Sequence, residues 1–519
     1  MKRILGLAAV TMSLVFGQTA RVAAQAPEEK AKAAEVKPAA EPSPPKEESS
    51  VTDHTIRAGG ETIPYKATAG TILLKDDKSE PTALVFYIAY IRSDTKDMSQ
   101  RPLAFLYNGG PGSSTVWLHM GAFGPRRVNT TDAAPTPPAP YRLTDNADTL
   151  LGKADLVFID PVGTGYSHAV GKAKDKDFWG VDQDVKSLAQ FITAYVNRNN
   201  RWNSPKFLIG ESYGTFRNAA LVNHLQAHNG MDFNGVVMVS TVLNLGTISF
   251  NPGEDTPYIL YLPSYAATAW YHKILKDRPA DLNAFLADAR QFASIEYAGA
   301  LMKGAKLGAS EKAAVAKRLS YFTGLSEDYV SRANLRVNLP QFMIELQRAR
   351  GLTTGRLDAR FSGPIYDLLG EYADYDPQST SITGAFTAVF NNYVHEDLKF
   401  GQDKTYETES EEANRNWDWK HAGTGGFGFP GSPNTEGDLI QAMISNPHLQ
   451  VEVENGIYDL ATPFFEAEYT FDHLGLPENI QKNIALQYYE AGHMMYLRDA
   501  DLAKLKSNVS GFIERASKQ

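Results

Sequence analysis

The chain has 519 residues, 43% of them hydrophobic, and a formal net charge of -9. That length can bury a large core with a sizeable insertion, and an acidic chain with no basic tract is excluded from nucleic-acid binding. It has no Cys, which excludes disulfides, a thiol nucleophile, cysteine-ligated metal and a lipid-anchor cysteine.

The N-terminus reads as a secretory signal peptide: Lys2 and Arg3, an apolar run from Ile4 to Phe16, then small residues in RVAAQAP. Val22-Ala23-Ala24 fits cleavage after Ala24, so residues 1–24 form the signal and the protein is expected in the periplasm or medium of a bacterium. No run is long enough to span a membrane. Residues 25–50 are dominated by Ala, Glu, Lys, Pro and Ser, without an aromatic. They have too little apolar content to order themselves and read as a disordered linker.

Strand-like runs follow at Thr82–Arg92, Arg101–Gly110, Ala154–Asp160, Lys206–Ser212 and Gly235–Thr241, with helix-like stretches at Asp182–Asn197 and Asn218–His228. Two late strands are expected at Leu449–Gly456 and Asn483–Glu490. Alternating strands and helices predict an α/β fold with a mainly parallel sheet covered on both faces. The alternation lapses in between. Leu282–Phe292, Glu311–Leu319 and Leu339–Arg350 read as helices, so 51–241 and 449–519 are assigned to the core and 242–448 to an inserted, mostly helical cap.

Gly210-Glu211-Ser212-Tyr213-Gly214 has the G-x-S-x-G form of a nucleophile elbow, a strained strand-to-helix turn that pushes a hydroxyl out above a sheet. Such a serine needs a base, and the base an orienting carboxylate. Asp459 and His493 each follow a late strand, in the order Ser, Asp, His. Asn108-Gly109-Gly110-Pro111 also follows a strand. Its adjacent glycines let backbone approach a reacting atom, and their N–H groups, with that of Tyr213, could cradle an oxyanion. No Lys-Ser/Thr pair completes a phosphate loop here.

NGGPGSS, DPVGTGYS, GESYGT, NGIYDLATP and AGHMMY, spread in order from Asn108 to Tyr496, resemble the signature blocks of the serine carboxypeptidases of the S10 type. The resemblance implies an α/β-hydrolase fold with a cap, and release of single residues from peptide C-termini without cofactor or metal. It makes Ser212 the nucleophile, His493 the base and Asp459 its orienter. Gly110 and Tyr213 would supply the oxyanion hole. Asn108, Gly109 and Glu211 would bind the terminal carboxylate of the peptide substrate, Glu211 holding the shared proton and setting an acidic optimum. The chain departs from the family at Ser113, where a disulfide cysteine is usual, at Ala122, near a usual acidic residue, and at Tyr496, where Pro is common.

An esterase or acyltransferase would use the same triad on the same scaffold, and a binding protein could keep the fold without catalysis. His224 and His228 have metal-ligand spacing but lack the metalloprotease glutamate, so a plain helix surface is expected. His119 lies near the glycine loop and rivals His493 as base, but follows no late strand. Trp417 and Trp419 suit packing better than a pocket wall.

Overall fold

The computed structural model describes residues 45–423 and 432–518. The expected signal peptide, the linker through 44 and residues 424–431 of the Gly-rich loop lie outside the described residues.

Three long strands, β1 (Ser49–Ala58), β2 (Glu61–Lys75) and β3 (Pro81–Arg92), pair antiparallel and lead into shorter ones. These are β4 (Leu103–Tyr107), β5 (Asp155–Ile159), β6 (Lys206–Glu211), β7 (Gly235–Val239), β8 (Gln450–Gly456) and β9 (Ile484–Tyr489). The sheet runs β1-β2-β3-β5-β4-β6-β7-β8-β9, and His168–Ala169 adds a short tenth strand beside β3. From β5 to β9 every pairing is parallel. This is the α/β-hydrolase arrangement, with connections that cross over on the sheet faces.

Strands β4 to β7 are buried along their whole length, which is why they read as unbroken apolar runs. Their side chains still alternate. Phe207 and Ile209 join the cluster of Leu502, Val509 and Phe512 on one face, and Leu208 joins Leu188, Ile192 and Leu221 on the other. The second face is covered by α1 (Val181–Arg198) and α2 (Tyr213–Asn229), the latter starting directly after Ser212.

Packing divides the expected cap. Helices Thr256–Tyr271, Leu282–Phe292, Ala309–Thr323 and Leu339–Glu345 build a cluster of their own, which also takes in Ile457, Tyr458 and Leu460 from the loop after β8 and Phe464 at the start of the next helix. Helix Pro377–Asn392 instead packs into the sheet core through Ile382, Phe386 and Phe390. Helix Glu436–Ser445 packs against the α2 side through Leu439 and Met443. Residues 242–448 therefore contribute to both the insertion and the core.

The expected linker boundary at 50 is corrected to earlier in the chain. Ser49 and Ser50 already pair with Gly70 and Ala69. Both oxygens of Glu47 accept from Arg198 at 2.7 Å, and one of them also takes the Leu73 N–H at 2.7 Å. Composition misses this because edge-strand backbone and a surface ion pair need no apolar side chain. A chain beginning at Val51 is expected to melt a few degrees below one beginning at Pro45, with unchanged turnover. Equal midpoints would show these contacts to be idle.

The core also holds two carboxyl groups with no ion pair among the described residues. Burial pushes Glu454 up to about 8 and Glu466 up to about 7. Tyr489 donates to Glu454 at 2.6 Å, and Thr247 and Thr470 donate to Glu466 at 2.7 and 2.8 Å. Between the ordinary value of 4.5 and these raised values the folded chain holds protons that the unfolded chain has lost. Their stabilising contribution is complete below about pH 4.5 and is lost as pH rises through about 7 to 8. Urea midpoints should fall over that window, and Glu454→Gln should flatten the fall. A midpoint that climbs through the same window would contradict this.

Candidate active site

Ser212 sits between β6 and α2 at φ 60°, ψ -129°, a conformation that non-glycine residues rarely adopt. Its N–H donates to the Val239 carbonyl at 2.9 Å, and its carbonyl accepts from the N–H and Oγ1 of Thr215, both at 2.8 Å. The turn is too tight for a side chain at Gly210, where a Cβ would collide with the Gly214 carbonyl oxygen. A Cβ at Gly109 would collide with the Tyr213 nitrogen. The glycine loop thus lies against the elbow, beside the first-turn N–H of Tyr213, which has no acceptor within its own helix.

Arg217, fully buried on α2, locks the loop to the elbow. It donates to Asp184 at 2.6 Å and to the Asn108 carbonyl at 2.7 Å. The loop's other side is fastened by backbone. Ser410 N–H donates to Gly112 at 2.8 Å, Ser114 N–H to Thr408 at 3.0 Å, and Ser113 bridges to Glu409. This strand-like contact occupies the place at Ser113 where the family resemblance leads one to look for a disulfide.

On the far side of Ser212, His493 Nδ1 lies 2.7 Å from Asp459 Oδ2. Asp459 is fully buried and accepts three further bonds, from the N–H groups of Ala461 and Thr462 and from Thr462 Oγ1, at 2.7, 3.0 and 2.8 Å. The His493 backbone is held at both ends: its N–H donates to Leu357 at 2.6 Å, and its carbonyl accepts from Ser240 Oγ at 2.6 Å. Burial by itself pulls His493 down, but the charge and hydrogen bond of Asp459, with the charge of Glu211, carry it above the usual histidine value.

Glu211 is buried next to Ser212, and burial pushes it up to about 7 against the opposing pull of His493, Tyr496 and Asn108. Tyr496 Oη donates to Glu211 Oε2 at 2.8 Å, while Asn108 Oδ1 accepts the Leu118 N–H at 3.0 Å. The Tyr496 ring packs against Gly121, beside Ala122. It therefore brings a hydroxyl to Glu211 from the neighbourhood where the family's acidic residue is missing.

Asn108, Gly109, Gly110, Glu211, Ser212 and His493 line one cleft of about 410 Å³, closed by Trp117, Arg356, Leu357, Met494 and by Glu409–Glu411 of the insertion. Asp459 bonds to His493 without lining the cleft, and Tyr213 is likewise not among the lining residues. A larger groove of about 830 Å³ shares Glu409, Ser410 and Glu411 with it but contains none of the reacting residues. The cleft unites a hydroxyl, an imidazole–carboxylate pair, a glycine cradle and a buried carboxyl whose affinity for a proton burial raises. That set can carry acyl transfer from a substrate bearing a carboxylate.

The family model for serine carboxypeptidases matches residues 60–506. The chain belongs to the serine carboxypeptidase family. Among curated relatives, it is 29% identical over 160 residues to the pheromone-processing carboxypeptidase KEX1 of Saccharomyces cerevisiae, covering 29% of this chain and 21% of that one. It is 23% identical over 265 residues to serine carboxypeptidase-like 45 of Arabidopsis thaliana, covering 49% and 51%. The matched stretches thus span about a fifth to a half of those relatives. The crystal structure of the KEX1 prohormone-processing carboxypeptidase from Saccharomyces cerevisiae superposes with a TM-score of 0.53 at 17% identity, covering 86% of this chain and 92% of that one, a likeness of fold.

The other candidates fall outside the cleft. His119 is buried in the core, its Nε2 2.6 Å from Tyr90 Oη and its ring against Phe158, and burial pulls it down to about 3. His224 and His228 lie together along α2, half-buried and exposed. Trp417 and Trp419 pack edge-on against Tyr213 at 5.4 and 5.7 Å. Sequence reading missed Arg217, Thr462, Leu357 and the role of Tyr496, whose partners are distant in the chain. Ser212→Ala and His493→Ala should each cut turnover of a chromogenic ester roughly 10⁴-fold or more. His119→Gln should retain it, and loss of activity there with the fold intact would move the base to His119.

Proposed function

We propose that the protein is a serine carboxypeptidase that removes C-terminal residues from peptides. Ser212 Oγ adds to the last peptide carbonyl while His493 takes its proton, and Asp459 accepts the Nδ1–H and balances the imidazolium. The N–H groups of Gly110 and Tyr213 receive the oxyanion. Collapse breaks the C–N bond, His493 protonates the departing amine, and an acyl-Ser212 remains. Water, deprotonated by His493, then releases the shortened peptide and restores the serine.

The observation that carries this reading is the place of Glu211, a carboxyl buried beside Ser212 that accepts from Tyr496 and that burial pushes up to about 7. Two ionised carboxylates cannot share a hydrogen bond. A protonated Glu211 can donate to the substrate's terminal carboxylate, with Asn108 and Gly109 as further donors. Above about 7 Glu211 ionises and repels the same group. The raised His493 sets the opposite limit, since a protonated base is idle. Together they confine peptide cleavage to a band near neutrality, above the acidic optimum that the resemblance implies. With the leader-like N-terminus, this fits an enzyme exported from a bacterial cell into the periplasm or medium.

The test is kcat/KM against pH for a blocked dipeptide and its C-terminal amide. The acid should show a KM that climbs above about pH 7, and the amide a flat KM. Glu211→Gln should flatten the climb. Tyr496→Phe removes a donor that favours ionised Glu211, so it should move the climb to higher pH. Equal use of acid and amide would favour an esterase or acyltransferase, and no labelling of Ser212 by a fluorophosphonate would favour a binding protein.

A further inference from the structure

Two arginines line the cleft among the described residues, Arg356 and Arg415. Arg415 is paired with Glu411 at 2.6 Å. The nearby Arg360, outside the cleft, is paired with Asp358 and Asp132 at 2.7 and 3.0 Å. The Arg356 side chain is exposed, and its guanidinium has no hydrogen bond or ion pair with a described residue. Its backbone, by contrast, is fixed. The Arg356 N–H donates to Asp376 at 2.5 Å, and the carbonyl accepts from the Leu460 N–H at 3.0 Å. The next residue, Leu357, accepts the His493 N–H.

These bonds hold the Arg356 backbone next to the residue that binds His493, and Arg356 lines the same cleft as His493. The charge of Arg356 also reaches the ring, opposing the rise of His493. In acyl transfer the base hands its proton to the leaving amine, so the leaving residue must lie against His493. On the carboxypeptidase reading, on which this inference rests, that residue's carboxylate is taken by Asn108 and Glu211. Its side chain is the part left to meet Arg356. A guanidinium stays charged at every working pH and binds a carboxylate through paired N–H donors.

We propose that Arg356 makes the enzyme prefer an acidic side chain, Glu or Asp, on the residue it releases. The test uses benzyloxycarbonyl-Phe-Glu, -Phe-Gln, -Phe-Leu and -Phe-Lys at about pH 6, where a free glutamate side chain is ionised. The wild type should favour Glu over Gln about tenfold in kcat/KM, the value of one charge-assisted contact. The ratio should shrink in high salt. Arg356→Gln should bring it near one, and Arg356→Glu should turn the preference toward Lys. Equal rates on Glu and Gln in the wild type would overturn the proposal. So would a loss in Arg356→Gln that is uniform across the four peptides, which would put Arg356 on the terminal carboxylate. Failure to cleave any of the four would overturn the carboxypeptidase reading and this proposal with it.

Discussion

The strained backbone of Ser212 is the constraint on which the site depends. A residue at φ 60°, ψ -129° costs on the order of 1–3 kcal/mol and persists only where its surroundings hold it. Here the surroundings are specific. β6 and β7 hold the strand side through the Val239 carbonyl, Thr215 grips the carbonyl of the serine itself, and Gly109 and Gly210 leave the space that a side chain would fill. The same conformation that exposes the hydroxyl also turns the Tyr213 N–H toward the glycine loop.

What keeps that loop in register is electrostatic. Arg217 and Asp184 form an ion pair inside the protein, and such pairs are poor sources of net stability because both charges lose water. This one directs a remaining donor to the Asn108 carbonyl, so its effect is geometric. It fixes the distance between the helix that starts at the nucleophile and the loop that faces it. The backbone bonds from 408–410 secure the opposite edge. A chain without cysteine thus braces both sides of its glycine loop without a covalent link.

Much of this was legible in the sequence, and the limits have a physical cause. The buried strands were found because burial on both faces leaves only apolar side chains. The elbow and the two late loops were found because their chemistry is local or follows strand order. β1 and β2 were missed: β1 alternates exposed with partly covered residues, and β2, though largely buried, has its apolar run broken by Pro64, Gly70 and several Thr. Tyr496 and Arg217 were invisible as partners because each meets its target across a fold, 285 residues away for Glu211 and 109 for Asn108. The insertion was recognised by its helices, but which of them belong to the core is set by packing, which no periodicity records.

The loop bearing Asp459 packs among the insertion helices through Tyr458 and Leu460, and the His493 backbone leans on Leu357 of the same insertion. The serine, by contrast, is complete in strand, turn and helix well before either. A chain that emerges from its N-terminus therefore carries an ordinary alcohol for most of its synthesis. Only when the insertion has closed on the last strands are Asp459 and His493 held in place beside that alcohol. On the proposed reading, topology alone would hold back hydrolysis until the molecule is whole.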